Sequence, residues 1–169
     1  MPVTLPIETE RLCVRTFDAV GDSLPMFSVY GDPEVMRFIP GGALADIAAV
    51  KVLLDKYARA QQAEGFSSWG IIERESGLLI GDVGFGIFEP TGEIELGFTL
   101  ARSAWGRGYA TESASACLAA GLAELPTERI IAVVDEANES SLRVAARIGM
   151  RRVEQIHAHG RPCVLFAAE

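Results

Sequence analysis

Three extended runs, Ser68–Arg74, Leu79–Phe88 and Glu93–Ala101, follow one another with only Glu75-Ser76-Gly77 and Glu89-Pro90-Thr91-Gly92 to mark the turns between them. Parallel strands need a crossover of about a dozen residues or more, whereas connections this short close antiparallel hairpins. The middle of the chain is therefore expected to be an antiparallel meander, and a doubly wound sheet with a helix after every strand is disfavoured. Around it, Arg11–Phe17 alternates Leu12, Val14 and Thr16 against Arg11, Cys13 and Arg15, which reads as a half-buried strand. Asp46 can cap a helix over 46–64, in which Ile47, Val50, Leu54 and Tyr57 recur at helical spacing and Gly65 follows the last turn. Gly108–Leu125 carries a helical stripe of Ala110, Ala114, Cys117, Leu118, Gly121 and Leu122, closed by Pro126. Arg129–Val134 reads as a strand, Asn138–Ile148 as a helix ended by Gly149, and Val153–Ile156 and Cys163–Phe166 as final strands. Between Asp22 and Ile39, Pro25, Gly31 and Pro33 permit two brief helical turns and no long helix.

A chain of 169 residues has the length of about one domain, expected here over 1–169. Its 15 Lys and Arg against 23 Asp and Glu leave a net charge of −8. That charge repels the phosphate backbone that supplies most non-specific nucleic-acid affinity, so nucleic acid is not expected as a direct ligand, while cationic partners such as amines are favoured. Cys13, Cys117 and Cys163 are far apart with no CxxC or Cys/His spacing, which gives neither a disulfide framework nor a metal site and reads as core packing. No uncharged apolar run reaches membrane-spanning length, and Glu8 and Glu10 stand where a signal peptide is apolar. The expectation is a soluble, cytoplasmic protein with no membrane partner.

The most informative segment is Leu100–Glu112, where a strand passes through Trp105-Gly106-Arg107-Gly108 into a helix. Gly106 and Gly108 let the backbone turn sharply, and the unpaired N–H groups that open the helix form an anion site. Arg102 and Arg107 add positive charge beside it, which points to a ligand such as a pyrophosphate. Gly106-x-Gly108-x-x-Thr111 half matches a dinucleotide fingerprint, but its third position is Thr and no strand–helix–strand unit surrounds it. The helix from Asn138 to Gly149 is, taken alone, explained by a good N-cap and a good C-terminal glycine.

Together these segments resemble one family, the Gcn5-related N-acetyltransferases, in the branch of the ribosomal-protein N-terminal acetyltransferases of the RimJ/RimL type. The matching residues, in order, are Glu8-Thr9-Glu10-Arg11-Leu12, Asp32-Pro33-Glu34-Val35-Met36, Trp69, Ile80-Gly81, Trp105-Gly106-Arg107-Gly108-Tyr109-Ala110-Thr111-Glu112, and Asn138-x-x-Ser141 to Gly149. The resemblance implies an α+β fold in which a mostly antiparallel twisted sheet of about six to seven strands is flanked by about four helices. It also implies acetyl-CoA as cosubstrate, with the pyrophosphate on the backbone of Arg107, Gly108, Tyr109, Ala110 and Thr111 beside Arg102 and Gly106. The pantetheine arm would bond near Phe98, Thr99 and Leu100, in a gap where the strand 93–101 diverges from 129–134, and Asn138 would help to hold the cofactor. Trp105 stands where many relatives have Gln or Arg.

The implied reaction has an amine attack a thioester carbonyl, with one group taking the amine proton and another supplying a proton to the leaving thiolate. Period two places Glu93, Glu95, Gly97 and Thr99 on one face of their strand, and Glu95 is the candidate base, against the alternative of a solvent-facing carboxylate. The tyrosine that many relatives carry seven residues after the asparagine is Ala145 here; the resemblance to the Rim-type branch implies Ser141 as candidate acid in its place, against the alternative of a first-turn serine that satisfies a backbone N–H, with Asn138 placing the cofactor or a water. Phe38 and Trp69 are candidate walls of the acceptor cleft, equally readable as core, and His157 and His159, on a polar stretch near the C-terminus, are candidates to line it, against the commoner case of solvated loop histidines. The acceptor is a primary amine, on a protein or peptide N-terminus or on a small molecule. The missing tyrosine leaves a non-catalytic acyl-CoA-binding module as the alternative, and the sequence leaves a homodimer open.

Overall fold

The computed structural model describes all residues from 1 to 169. In chain order the elements are β1 (Ile7–Glu8), β2 (Leu12–Arg15), α1 (Ser23–Tyr30), α2 (Ile47–Glu64), β3 (Ser68–Glu73), β4 (Leu79–Phe88) and β5 (Glu93–Leu100). A 3-10 turn (Arg102–Ala104) leads to α3 (Tyr109–Glu124), β6 (Ile130–Asp135), α4 (Glu139–Arg147), β7 (Arg151–Ala158) and β8 (Arg161–Ala168). The meander is present as β3, β4 and β5, antiparallel throughout. Asp46 caps α2 by accepting the Ala49 N–H at 2.8 Å, and Gly65 ends that helix in the left-handed conformation.

Three features depart from the sequence reading. The sheet has eight strands because Ile7–Glu8 pairs antiparallel with Cys13 and Val14, a two-residue strand too short to show periodicity. Pro25 lies inside α1, but in its first turn, where a missing N–H breaks no helical bond. Strands β7 and β8 outrun their expected spans because His159 and Gly160, at φ 53° and 74°, form a two-residue turn of the kind that matches strand twist.

Strand order in the sheet is β1-β2-β3-β4-β5-β6-β8-β7. Strand β5 pairs with β4 along its whole length, and β6 pairs with β8 along its whole length. Between β5 and β6, the one parallel neighbour pair, contact is confined to Ile94 with Ile130 and Glu95 with Ile131. Beyond that point the sheet splits, and the backbone polar groups of β5 that face the split lack strand partners. Helices cover both faces. On one, α3 packs Ala114, Cys117 and Leu118 into a core with Val83, Phe85, Leu96 and Ile130. On the other, α1 and α2 bury Met26, Val29, Tyr30, Val50 and Leu54. Adjacent strand residues point to opposite faces, so Asp82 meets Tyr30 of α1 while Val83 enters the α3 core.

Candidate functional site

Two cavities, of about 770 and 510 Å³, flank the split, and Phe38, Phe98, Thr99, Asn138 and Ser141 line both. The larger lies on the α1/α2 face. Its floor is the ladder Gly86–Glu95, Gly84–Gly97 and Asp82–Thr99 of β4 and β5. A Cβ on Gly86 or Gly97 would project into open space, so the absence of side chains there makes the floor. Tyr57 of α2, Phe38 and His159 of the β7–β8 turn form walls, whereas His157 does not reach the cavity. Phe38 is held at the rim by the guanidinium groups of Arg37 and Arg161, 5.2 and 5.5 Å from its ring centre.

Two carboxyl groups mark the ends of this floor. Burial pushes Glu95 up to about 7, with the Val133 N–H pulling the other way. Asp82, buried, is pushed up to about 6 by that burial, against the opposing pull of the Tyr30 hydroxyl, which donates to it, and of Thr99. Glu95 sits where β5 and β6 part, so it is not the solvent-facing carboxylate of the alternative reading. A carboxyl group titrating near 7 is poised for acid–base work at neutral pH.

The smaller cavity opens on the glycine turn. Gly106 and Gly108 adopt φ of 73° and 79°, and both line it together with Tyr109, Ala110 and Thr111 at the start of α3. The free N–H groups of that helix end face the cavity with the positive end of the helix dipole. The expected arginines do not join them. Arg102 is tied to Asp32, Nε to Oδ2 at 3.1 Å, and Arg107 to Glu73 Oε1 at 2.9 Å while lying over the Tyr109 ring, so neither guanidinium lines the cavity. Arg107 retains only its backbone as a candidate contact. Positive charge comes instead from Arg37 at the rim and from Arg143 and Arg147 of α4, which line the cavity. The i,i+4 spacing of Arg143 and Arg147 placed them on one helix face, but sequence alone does not show that this face looks back at α3.

The remaining candidates divide. Phe98 and Thr99 line both cavities and Leu100 the smaller, but the Leu100 carbonyl already accepts the Trp105 indole N–H at 2.9 Å. Asn138 is the N-cap of α4, its side chain accepting the Ser141 N–H at 3.3 Å, and both residues face the junction of the cavities. Ala145 lines the larger cavity and offers no hydroxyl. Trp69 is not a wall of the cleft: it is fully buried, edge-on to Phe85 at 5.7 Å, with its indole N–H given to Gln61 at 2.8 Å. Its neighbour Ser68 lines the cavity, and period two sends Trp69 to the other face. Cys117 is fully buried with its thiol pushed up to about 12, and Cys163 is raised by burial and by Asp135, so neither is an activated nucleophile. No helix is long and apolar enough to cross a membrane.

Known proteins resemble this arrangement over nearly its whole length. The acetyltransferase (GNAT) domain family matches residues 11–151. An N-acetyltransferase of Bacillus subtilis, YnaD, is 34% identical over 86% of this chain and 82% of its own. The crystal structure of a GNAT-family acetyltransferase from Bacillus anthracis superposes with a TM-score of 0.83 at 26% identity, covering 97% of this chain and 98% of that one. RimL, a ribosomal L7/L12 alpha-N-protein acetyltransferase solved with coenzyme A, shares the fold with a TM-score of 0.83 at 14% identity, over 97% of each chain.

Proposed function

The chain belongs to the acetyltransferase (GNAT) domain family, and from that premise we propose that it moves the acetyl group of acetyl-CoA to a primary amine by direct attack in a ternary complex. The observation that carries this reading is the split between β5 and β6, which has Glu95 at its closed end and the bare N-terminus of α3 at its open end. The donor set suits a nucleotide thioester. Backbone N–H groups from Gly108 to Thr111, with Arg143 and Arg147 opposite, suit a pyrophosphate, and the unpaired backbone of β5 suits the amides of a pantetheine arm.

The acceptor amine enters over the glycine floor. Glu95, as carboxylate, takes a proton from the ammonium, directly or through a water, and the neutral amine attacks the thioester carbonyl. The C–N bond forms as the C–S bond breaks, the attacking nitrogen gives its second proton to water, and the thiolate takes a proton from water, directly or through Ser141, which water reprotonates. A thiol of ordinary pKa, about 8.5, leaves readily enough that this donor matters less than the base. Asn138 acts through the cap it makes, fixing the α4 turn that presents Ser141.

Release of free thiol from acetyl-CoA tests this, scanned over peptides beginning Ser, Ala or Thr, free amino acids, polyamines and aminoglycosides. Peptides head the panel because RimL, which shares the fold, acetylates a protein α-amine. Release that depends on one of these amines supports the reading. Acetyl-CoA binding without release in the presence of any amine favours a non-catalytic acyl-CoA-binding module.

A further inference from the structure

Arg11 lines neither cavity, yet its side chain reaches from the start of β2 to the glycine turn. Its Nη1 donates to the Arg107 carbonyl at 2.8 Å, and its Nε and Nη2 both meet Glu112 Oε2 at 2.7 Å. Its backbone N–H donates to Glu112 Oε1 at 2.9 Å, where the Thr9 hydroxyl also donates at 2.7 Å. The guanidinium lies 4.5 Å from the centre of the Tyr109 ring, which the Arg107 guanidinium also approaches, at 4.8 Å. So the Thr9–Arg11 segment, which takes no part in the chemistry described above, grips the first turn of α3 without itself lining the ligand groove.

We propose that Arg11 is a positioning residue for cofactor binding, which holds the 107–108 peptide with its N–H turned to the groove and neutralises Glu112 beside the phosphate site. The inference rests on the acetyl-CoA reading of that groove. Within one planar peptide the C=O and N–H point in opposite directions. A carbonyl of Arg107 fixed on Arg11 therefore aims the Gly108 N–H the other way, and Gly108 lines the groove. The charge argument is separate. Glu112 lies in the first turn of α3, where a carboxylate suits the helix end but opposes an incoming phosphate. Paired with Arg11, its charge opposes the phosphate less. Preorganised donors at an anion site act on affinity, and a residue behind them should move KM for the cofactor while leaving the chemical step alone.

The test uses the full chain, with acetyl-CoA as the probe, by titration calorimetry and steady-state kinetics. Arg11→Gln should raise both Kd and KM for acetyl-CoA roughly tenfold, the loss of about one charge-assisted contact, with kcat within about twofold and the amine KM unchanged. Removing the stranded charge in Arg11→Gln with Glu112→Gln should recover part of that loss, about threefold. The Arg11 side chain is exposed, so the fold should survive; if Arg11→Gln does not fold, Arg11→Lys, which keeps the charge and loses the fork, should show an intermediate rise. Wild-type affinity in Arg11→Gln, or a drop in kcat and thermal stability with Kd unmoved, overturns the proposal. A wild-type chain that fails to bind acetyl-CoA overturns the underlying cofactor reading instead, and the proposal with it.

Discussion

Replacing Glu95 by Gln removes one ionisable group from the closed end of the split and should have two opposite consequences. The ordinary carboxyl value is 4.5 and burial raises it to about 7, so the folded chain holds a proton that the unfolded chain has lost across that range. A group raised on folding contributes fully below its unfolded pKa, and its contribution is lost as pH climbs through the folded value. At about 1.36 kcal/mol per pH unit the ionised side chain then costs up to about 3 kcal/mol at pH 8, and about 1–2 kcal/mol allowing for the open cavity mouth. Glu95→Gln should thus be the more stable protein at pH 8, with the advantage gone near pH 4.5, as urea melts at both pH values would show. Activity should go the other way. Loss of a general base lowers kcat by about 10²–10⁴-fold, and the inflection near pH 7 in the wild-type kcat/KM profile should vanish with it. Acetyl-CoA affinity should hold. A variant that keeps its kcat, or whose stability gain is the same at both pH values, refutes the reasoning.

Two further outcomes follow from the geometry. Ser141→Ala should lower kcat by about tenfold or less, short of the effect of losing a base, with KM for acetyl-CoA unchanged, as single-turnover and steady-state rates together would show. Gly121→Ala puts a Cβ 2.5 Å from Phe85 Cζ and 2.8 Å from Ile130 Cδ1, both inside the α3 core. Overpacking of about 1–3 kcal/mol should exceed the gain of about 1 kcal/mol from helix propensity, lowering the urea midpoint at constant m-value.

The parts of the fold that were legible from sequence are those fixed by local rules. Short turns between extended runs marked the meander, Asp46 and Gly65 bounded α2, and the glycine pair marked the turn into α3, because each signal acts over a few residues. Glu95 was legible as a candidate for the same reason: alternation put a carboxylate on the Gly97–Thr99 face of its strand. The charges were not. Arg102 and Arg107 adjoin the glycine turn in sequence, but their partners, Asp32 and Glu73, lie on distant segments, and an exposed arginine beside a carboxylate pairs with it. Arg143 and Arg147 reach the groove through the packing of α4 against α3, a tertiary contact with no local signature. Trp69 failed as a wall by one residue of register, since Ser68 and Trp69 face opposite sides of β3 and only packing decides which side is cavity.

The measurement that bears most directly on the central claim is the initial rate of thiol release from acetyl-CoA, with acetyl-CoA and a reactive amine varied against each other. The account predicts release that requires the amine and double-reciprocal lines that intersect, as direct attack in a ternary complex demands. Parallel lines with an acetylated enzyme isolable in the absence of amine, or release indifferent to every amine, would contradict it.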